Sequence, residues 1–177
     1  MNEGVGVRIP PVTDEIRAQA AAQPDGWVYA IDSYFDPNGE VPPYGVVGAW
    51  KVDSQGRLTG EFKKNPNYRP SPRTLGMAEP TDPVDAAIQL AAVGYGSEAD
   101  LRRALLDAVV YVGLDVQHVS PIVIHTSSSQ AANSAGELRQ IPFRELLPGL
   151  PEDAVLRLNP GGSASVNIPV ADLSGAM

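Results

Sequence analysis

The sequence predicts an α+β fold, with mixed, largely antiparallel sheet or sheets and two main helices packed on one face. Three observations predict it. Residues 27–62 fall into three short runs of strand-forming residues separated by turn chemistry. Residues 82–108 carry apolar side chains at helical spacing, in two runs that each open on a capping residue. From residue 109 onward, short strand-like runs return, divided by proline and glycine. The chain has 177 residues, 43% hydrophobic and 19% charged, enough for a core of its own. It has no cysteine, so neither a disulfide nor thiolate chemistry contributes.

The elements follow in chain order. Residues 1–11 read as a flexible lead-in ending at Pro10-Pro11. Residues 12–22 form a short helix, capped by Thr13, favoured by Asp14 and Glu15 at its positive end and stopped by Pro24 and Gly26. Trp27, Tyr29 and Ile31 alternate with Val28, Ala30 and Asp32 in a first strand. A proline-rich loop with Asn38-Gly39 at its centre leads to a second strand over 46–52, with Val46, Gly48, Trp50 and Val52 on one face. Asp53-Ser54-Gln55-Gly56 turns the chain into a third, 58–62, completing an antiparallel meander. Residues 64–80 hold four prolines, so they are neither strand nor long helix, yet Tyr68, Leu75 and Met77 make them unusually apolar. The segment reads as an ordered arm on the surface or as a linker.

Two helices come next. Asp82 or Thr81 caps the first, Pro83 takes the position where a missing N–H costs nothing, and Val84, Ala87, Ile88 and Ala91 form its stripe. Gly94 and Gly96 end it. Ser97 and Asp100 open the second, with Leu101, Ala104, Leu105 and Ala108 inward and Arg102, Arg103 and Asp107 toward water. Strands are expected at 109–112 and 121–125, a small-residue loop at 126–136, one helical turn at 142–147 and a last strand at 164–170. The organisation is thus a lead-in (1–11), a helix with a meander (12–62), an arm or linker (63–80) and an α+β module (81–177). Whether 12–62 and 81–177 share a core is left open by the pattern.

Charge narrows the function. Thirteen basic and twenty-one acidic residues give a net charge of -8, the wrong sign for holding a nucleic-acid backbone. The acidity is concentrated after residue 80, at -6 against -2 before it. No basic and apolar leader opens the sequence and no long apolar run crosses it, so a cytoplasmic protein without membrane insertion is expected.

The candidate sites are few. Asn159-Pro160-Gly161-Gly162-Ser163 has the glycines of an anion cradle but neither the lysine nor the following helix of a phosphate loop, and a hairpin-type turn is the plainer account of it. His118 and His125 propose no metal spacing and read as surface or strand-edge residues. Thr126-Ser127-Ser128-Ser129 offers hydroxyls without the strained elbow of a serine hydrolase, and His125 should face away from its neighbour. No catalytic, cofactor or metal residue is assigned. The local reversal of charge at Lys63, Lys64, Tyr68, Arg69 and Arg73 reads as a solvated loop or a protein-docking arm, because arginine, tyrosine and proline offer contact area at low ordering cost.

The block from Pro24-Asp25-Gly26-Trp27 to Asp32, with Val46-Val47-Gly48-Ala49-Trp50, Asn65-Pro66-Asn67-Tyr68-Arg69-Pro70-Ser71-Pro72 and Thr81-Asp82-Pro83, resembles actinobacterial proteins associated with type VII secretion. The C-terminal half, through Val110-Tyr111-Val112, Thr126-Ser127, Pro142-Phe143-Arg144-Glu145-Leu146 and Leu158-Asn159-Pro160-Gly161, resembles the SseB N-terminal-type domain. His125 stands where that pattern has phenylalanine, which implies a more exposed strand end here. The family offers no catalytic residues to carry over. The resemblance implies a non-enzymatic accessory or adaptor acting by protein–protein binding, on secretion components or small helical substrates, with no cofactor. Two alternatives stand beside it: a small-ligand or anion-binding protein or enzyme using the Asn159–Ser163 turn, and an immunity-type or structural binding module. Oligomeric state is open, since the last strand has a free edge.

Overall fold

The computed structural model describes residues 8–116 and 119–175. Most of the lead-in and His118 lie outside the described residues. The fold is α+β, with antiparallel-dominated sheets and helices packed on the strands. The chain divides into two compact units, the first ending at Leu75 and the second beginning at Gly76.

In the first unit, α1 (Asp14–Ala22) starts where Thr13 accepts a hydrogen bond from the Ile16 N–H at 3.3 Å. β1 (Trp27–Ile31), β2 (Val46–Val52) and β3 (Leu58–Lys64) follow as an antiparallel meander in the order β1-β2-β3. Val28, Ala30, Trp50 and Val52 turn to one face and meet Ile16 and Ala20 of α1, with Leu58 and Phe62 beside them. A bulge between Ala30 and Ile31 adds Val47 to that buried set. Gly48 is required there, since a Cβ would overlap the Phe62 ring and the Lys63 carbonyl. The other face of the sheet is open, and Tyr29 stands on it 63% exposed.

The second unit opens with α2 (Pro83–Ala92) and α3 (Glu98–Leu106). Asp82 caps α2 through bonds from the Val84 and Asp85 N–H groups, and Ser97 with Asp100 forms a complete capping box on α3. α2 ends on Gly94, whose φ of 76° lets the chain fold back so that Tyr95 and Gly96 donate to the Leu90 carbonyl. Then come β4 (Val109–Gly113), β5 (Ile122–His125), α4 (Ser128–Ala131), β6 (Leu138–Pro142), α5 (Phe143–Leu146), β7 (Val155–Leu158), β8 (Val166–Pro169) and α6 (Val170–Ser174). The five strands lie in the order β6-β4-β5-β7-β8, antiparallel except for β5 with β7. Val110, Val112, Ile122, Ile124, Leu156 and Leu158 form the inner face. They pack on Val84, Ile88, Leu101, Leu105, Phe143 and Leu173 from the helices in one continuous core.

Several expectations change here. The segment 126–136 is not all loop: Ser127 accepts from the Gln130 N–H and caps the short α4. β6 and α6 were absent from the sequence pattern, and the last strand stops at Pro169, where Val170 begins a helix. The predicted stripe of α2 holds at Val84 and Ile88, with Ala87 packed partly buried against the core, but the inward face is wider than expected and includes two buried polar side chains, Asp85 and Gln89. Arg102 is half-buried rather than turned to water, and its Nε has no hydrogen-bond partner.

Candidate functional site

Among the described residues the first sheet has two free edges, and they are built differently. Within β3 and its flanking edge stand Glu61, Lys63 and Lys64, and the β2–β3 register is broken between Trp50 and Val52. Charges and bulges of this kind are how proteins keep an edge from pairing with another chain. β1 reads Trp27-Val28-Tyr29-Ala30-Ile31, with no charge and no proline. Its bonds to the rest of the sheet come from the even positions: the Val52 N–H donates to the Gly26 carbonyl at 3.0 Å and the Asp32 N–H donates to the Gly45 carbonyl at 2.9 Å. By the alternation of an antiparallel ladder, Trp27, Tyr29 and Ile31 direct their N–H and C=O groups outward. Among the described residues no strand takes them up.

Along this edge runs a groove of about 890 Å³. Every residue of β1 lines it, odd and even, so it follows the strand edge, and Val47 of β2 with Ile16 of α1 shows that it also reaches the face on which α1 packs. Ile9, Pro10 and Pro11 of the lead-in, Ile16 and Gln19 of α1, and Tyr68 and Thr74 of the arm form its walls. Its size falls in the range of specific binding sites, and its lining is mostly apolar. Ile9, 52% exposed, adds a second large apolar side chain left in water beside Tyr29.

The arm wall is fixed by one buried carboxylate. Asp32 Oδ2 accepts from the Tyr68 hydroxyl at 2.7 Å, the Thr74 hydroxyl at 2.9 Å and the Ser71 N–H at 3.1 Å. Its Oδ1 accepts from the Ser71 hydroxyl at 2.6 Å and the Tyr34 N–H at 3.0 Å. Burial alone would raise this carboxyl, but the donors from Ser71, Tyr34 and Tyr68 outweigh it and hold it below the ordinary aspartate value. Burial, and then the bond to Asp32, pushes the Tyr68 hydroxyl up to about 12. Asn65 adds a second tie, donating to the carbonyls of Pro43 and Val46 at 2.8 and 2.7 Å. Residues 65–74 are therefore laid on the sheet by polar bonds despite their prolines.

Of the sequence-predicted docking residues, Tyr68 turns inward and becomes part of the groove wall. Arg73 is exposed and its guanidinium donates to the Ser33 carbonyl at 3.1 Å, while Ser33 itself lines the groove. Lys63 and Lys64 lie on β3, the opposite edge strand, and Arg69 is exposed between the two groups. The five are thus divided between two elements, Lys63 and Lys64 at the end of β3 and Tyr68, Arg69 and Arg73 on the arm that follows it. Asp32, which organises three of their neighbours, carried no sequence signal beyond its place in the strand alternation.

The hydroxyl-rich segment and the Asn159 turn do meet. Asn159, buried and in the left-handed region at φ 46°, accepts from the Thr126 N–H at 2.9 Å and donates to its hydroxyl at 2.7 Å. Thr126 Oγ1 donates to Asp82 at 2.7 Å, Ser127 Oγ to Thr81 at 3.0 Å, and Ser163 Oγ accepts from the Ala78 N–H at 3.0 Å. These bonds tie the sheet to the start of α2 and commit the hydroxyls to structure. His125 is not among them. It is buried, contrary to the exposed strand end expected of it, and burial lowers its basicity while Nδ1 has no partner. It lines a separate hollow of about 190 Å³ with Asp115 and Glu137. Among the described residues no three histidine, aspartate or glutamate side chains are grouped to hold a metal ion. Among them, too, no helix is long and apolar enough to cross a membrane.

No family model, curated protein or solved structure matches the chain.

Proposed function

We propose that this chain is a non-enzymatic accessory protein of type VII secretion that works by binding an extended segment of a partner protein along β1. The observation that carries the binding mode is the groove of about 890 Å³ beside a strand edge with no charge on it. An added strand would take up the outward N–H and C=O groups of Trp27, Tyr29 and Ile31, and its alternate side chains would fall toward Ile9, Ile16 and Tyr68. Main-chain bonds then supply affinity and the apolar walls supply preference. This chemistry favours an extended apolar segment over a helical one, because a helix has already spent its backbone groups. The secretion setting rests on the resemblance carried by residues 24–32, 46–50 and 65–72.

The test has two arms. Short unstructured peptides selected on the full chain are expected to alternate apolar residues and to slow amide exchange at Trp27, Tyr29 and Ile31. Tyr29→Lys, which sets a solvated charge on the edge, should weaken them at least tenfold. Binders that protect other amides, or that ignore this substitution, would overturn the binding mode. Co-purification from an actinobacterial host should recover secretion components with the wild-type chain and lose them with Tyr29→Lys; equal recovery by both would remove the secretion role from this edge.

A further inference from the structure

Resting on the reading of β1 as a strand-addition edge, we infer that in the absence of a partner protein the occupant of that edge is β1 of a second copy of this chain. The register is self-complementary. The outward-directed positions are 27, 29 and 31, which are symmetric about Tyr29. A two-fold axis through Tyr29 places Trp27 of one copy opposite Ile31 of the other and Tyr29 opposite Tyr29. Each is then a pair that exchanges both N–H and C=O bonds, the narrow pair of an antiparallel ladder. An axis through Val28 or Ala30 would make two such pairs instead of three, and an axis midway between residues would oppose the outward groups of one copy to groups of the other already bonded to β2.

The side chains agree with the backbone. Trp27, Tyr29 and Ile31 share the open face, so the same axis makes aromatic–β-branched and aromatic–aromatic cross-strand pairs, the favourable kind. Tyr29, 63% exposed in the single chain, is covered by its own symmetry mate. Charge does not oppose the pairing. Continued in the same register, Asp25 lies opposite Ser33 and Asp32 opposite Gly26, so no two carboxylates meet. The contact is isologous and closes on itself, giving a six-stranded sheet across two copies and no fibre. β3 offers no equivalent, because the same central axis passes through Glu61 and would set that carboxylate against its own symmetry mate.

Pairing of copies and binding of a partner segment would then exclude each other. A partner segment opens the dimer, and the groove is shielded until one arrives.

Sedimentation of the full chain across a wide concentration range, with amide exchange at each end of it, tests this. The expected result is a monomer–dimer equilibrium in which Trp27, Tyr29 and Ile31 become protected as dimer forms. Tyr29→Pro removes one outward N–H without touching the bonds to β2, and it should raise the dissociation constant at least tenfold. Tyr29→Lys should do the same and keeps every backbone donor, so it guards against misfolding of the proline variant. A chain that stays monomeric throughout, or a dimer indifferent to both substitutions, would overturn the inference. The two readings fail separately. A monomer that still captures peptides on β1 removes the dimer alone, and a β1-paired dimer that no peptide opens removes the partner-binding role alone.

Discussion

The two units solve the problem of holding a chain in place by different means. The second buries nineteen residues in a single apolar cluster between five strands and the helices on one face. The first has two clusters of three buried residues each, and it orders ten residues of proline-rich chain by pointing four of their donors at Asp32. An apolar core is spread over many side chains, so each deletion is a partial loss. A carboxylate knot is concentrated, so one deletion removes several bonds together. The unit with the thinner core is also the one in which a strand edge runs beside a groove of about 890 Å³.

That contrast can be broken most directly at Asp32. Replacement by alanine deprives Tyr68, Ser71, Thr74 and Tyr34 of a charged acceptor, and the first unit should lose about 4 kcal/mol, since bonds to a charged group are each worth roughly 1.5–3 kcal/mol and do not add in full. Amide exchange should accelerate across 65–74 and β1 while Val110, Ile124 and Leu156 stay protected. Loss of protection confined to the second unit would refute the division. The same substitution removes the arm wall of the groove, so peptide binding along β1 should weaken with it.

Leu105→Ala is the matching change in the other unit. Leu105 is fully buried in the core beneath α3, and the truncation should cost about 3 kcal/mol, within the roughly 2–5 kcal/mol seen for such cavities. Both tryptophans, Trp27 and Trp50, lie in the first unit, so tryptophan fluorescence follows that unit while circular dichroism follows both. Leu105→Ala should shift the dichroism melt and leave the fluorescence melt in place. Asp32→Ala should shift the fluorescence melt.

The same division marks what could be seen in the sequence. The meander, the two capped helices and the turn at 143–146 were legible because period, caps and breakers are local signals. The knot was not, because Asp32 sits in phase with an ordinary strand and its partners lie 36 to 42 residues away. The inward face of α2 was drawn too narrow for a related reason: Asp85 and Gln89 look like surface residues until Thr81, Gln130 and the Ala78 carbonyl are found to bond them. Short β6 and α4, rich in polar and small residues, have too little pattern to show. The candidate site itself is the absence, among the described residues, of a strand beside β1. Its only trace in the sequence is that Trp27–Ile31 carries no charge while 61–64 carries three.

The smallest expected effect is also the one that separates the units by chemistry alone. His125 is buried and gives up its proton more readily than an unfolded histidine, so protons bind the unfolded state better. The second unit should therefore weaken as pH falls below about 6.5, the value for an unperturbed histidine. Asp32 is shifted down as well, but for a carboxylate this means that its stabilisation is complete above the unfolded value near 3.9 and is lost only as pH falls through the lower folded one. Tyr68 bounds the other side. Its hydroxyl holds its proton up to about 12, so the knot should loosen as pH rises past the ordinary tyrosine value near 10. Between pH 6.5 and 4 the dichroism melt should fall while the fluorescence melt holds. His125→Phe, an apolar ring of similar size on the same strand, should flatten the first slope without altering the second. A fluorescence melt that falls first over that interval would mean that the knot, not the buried imidazole, is the weaker point in acid.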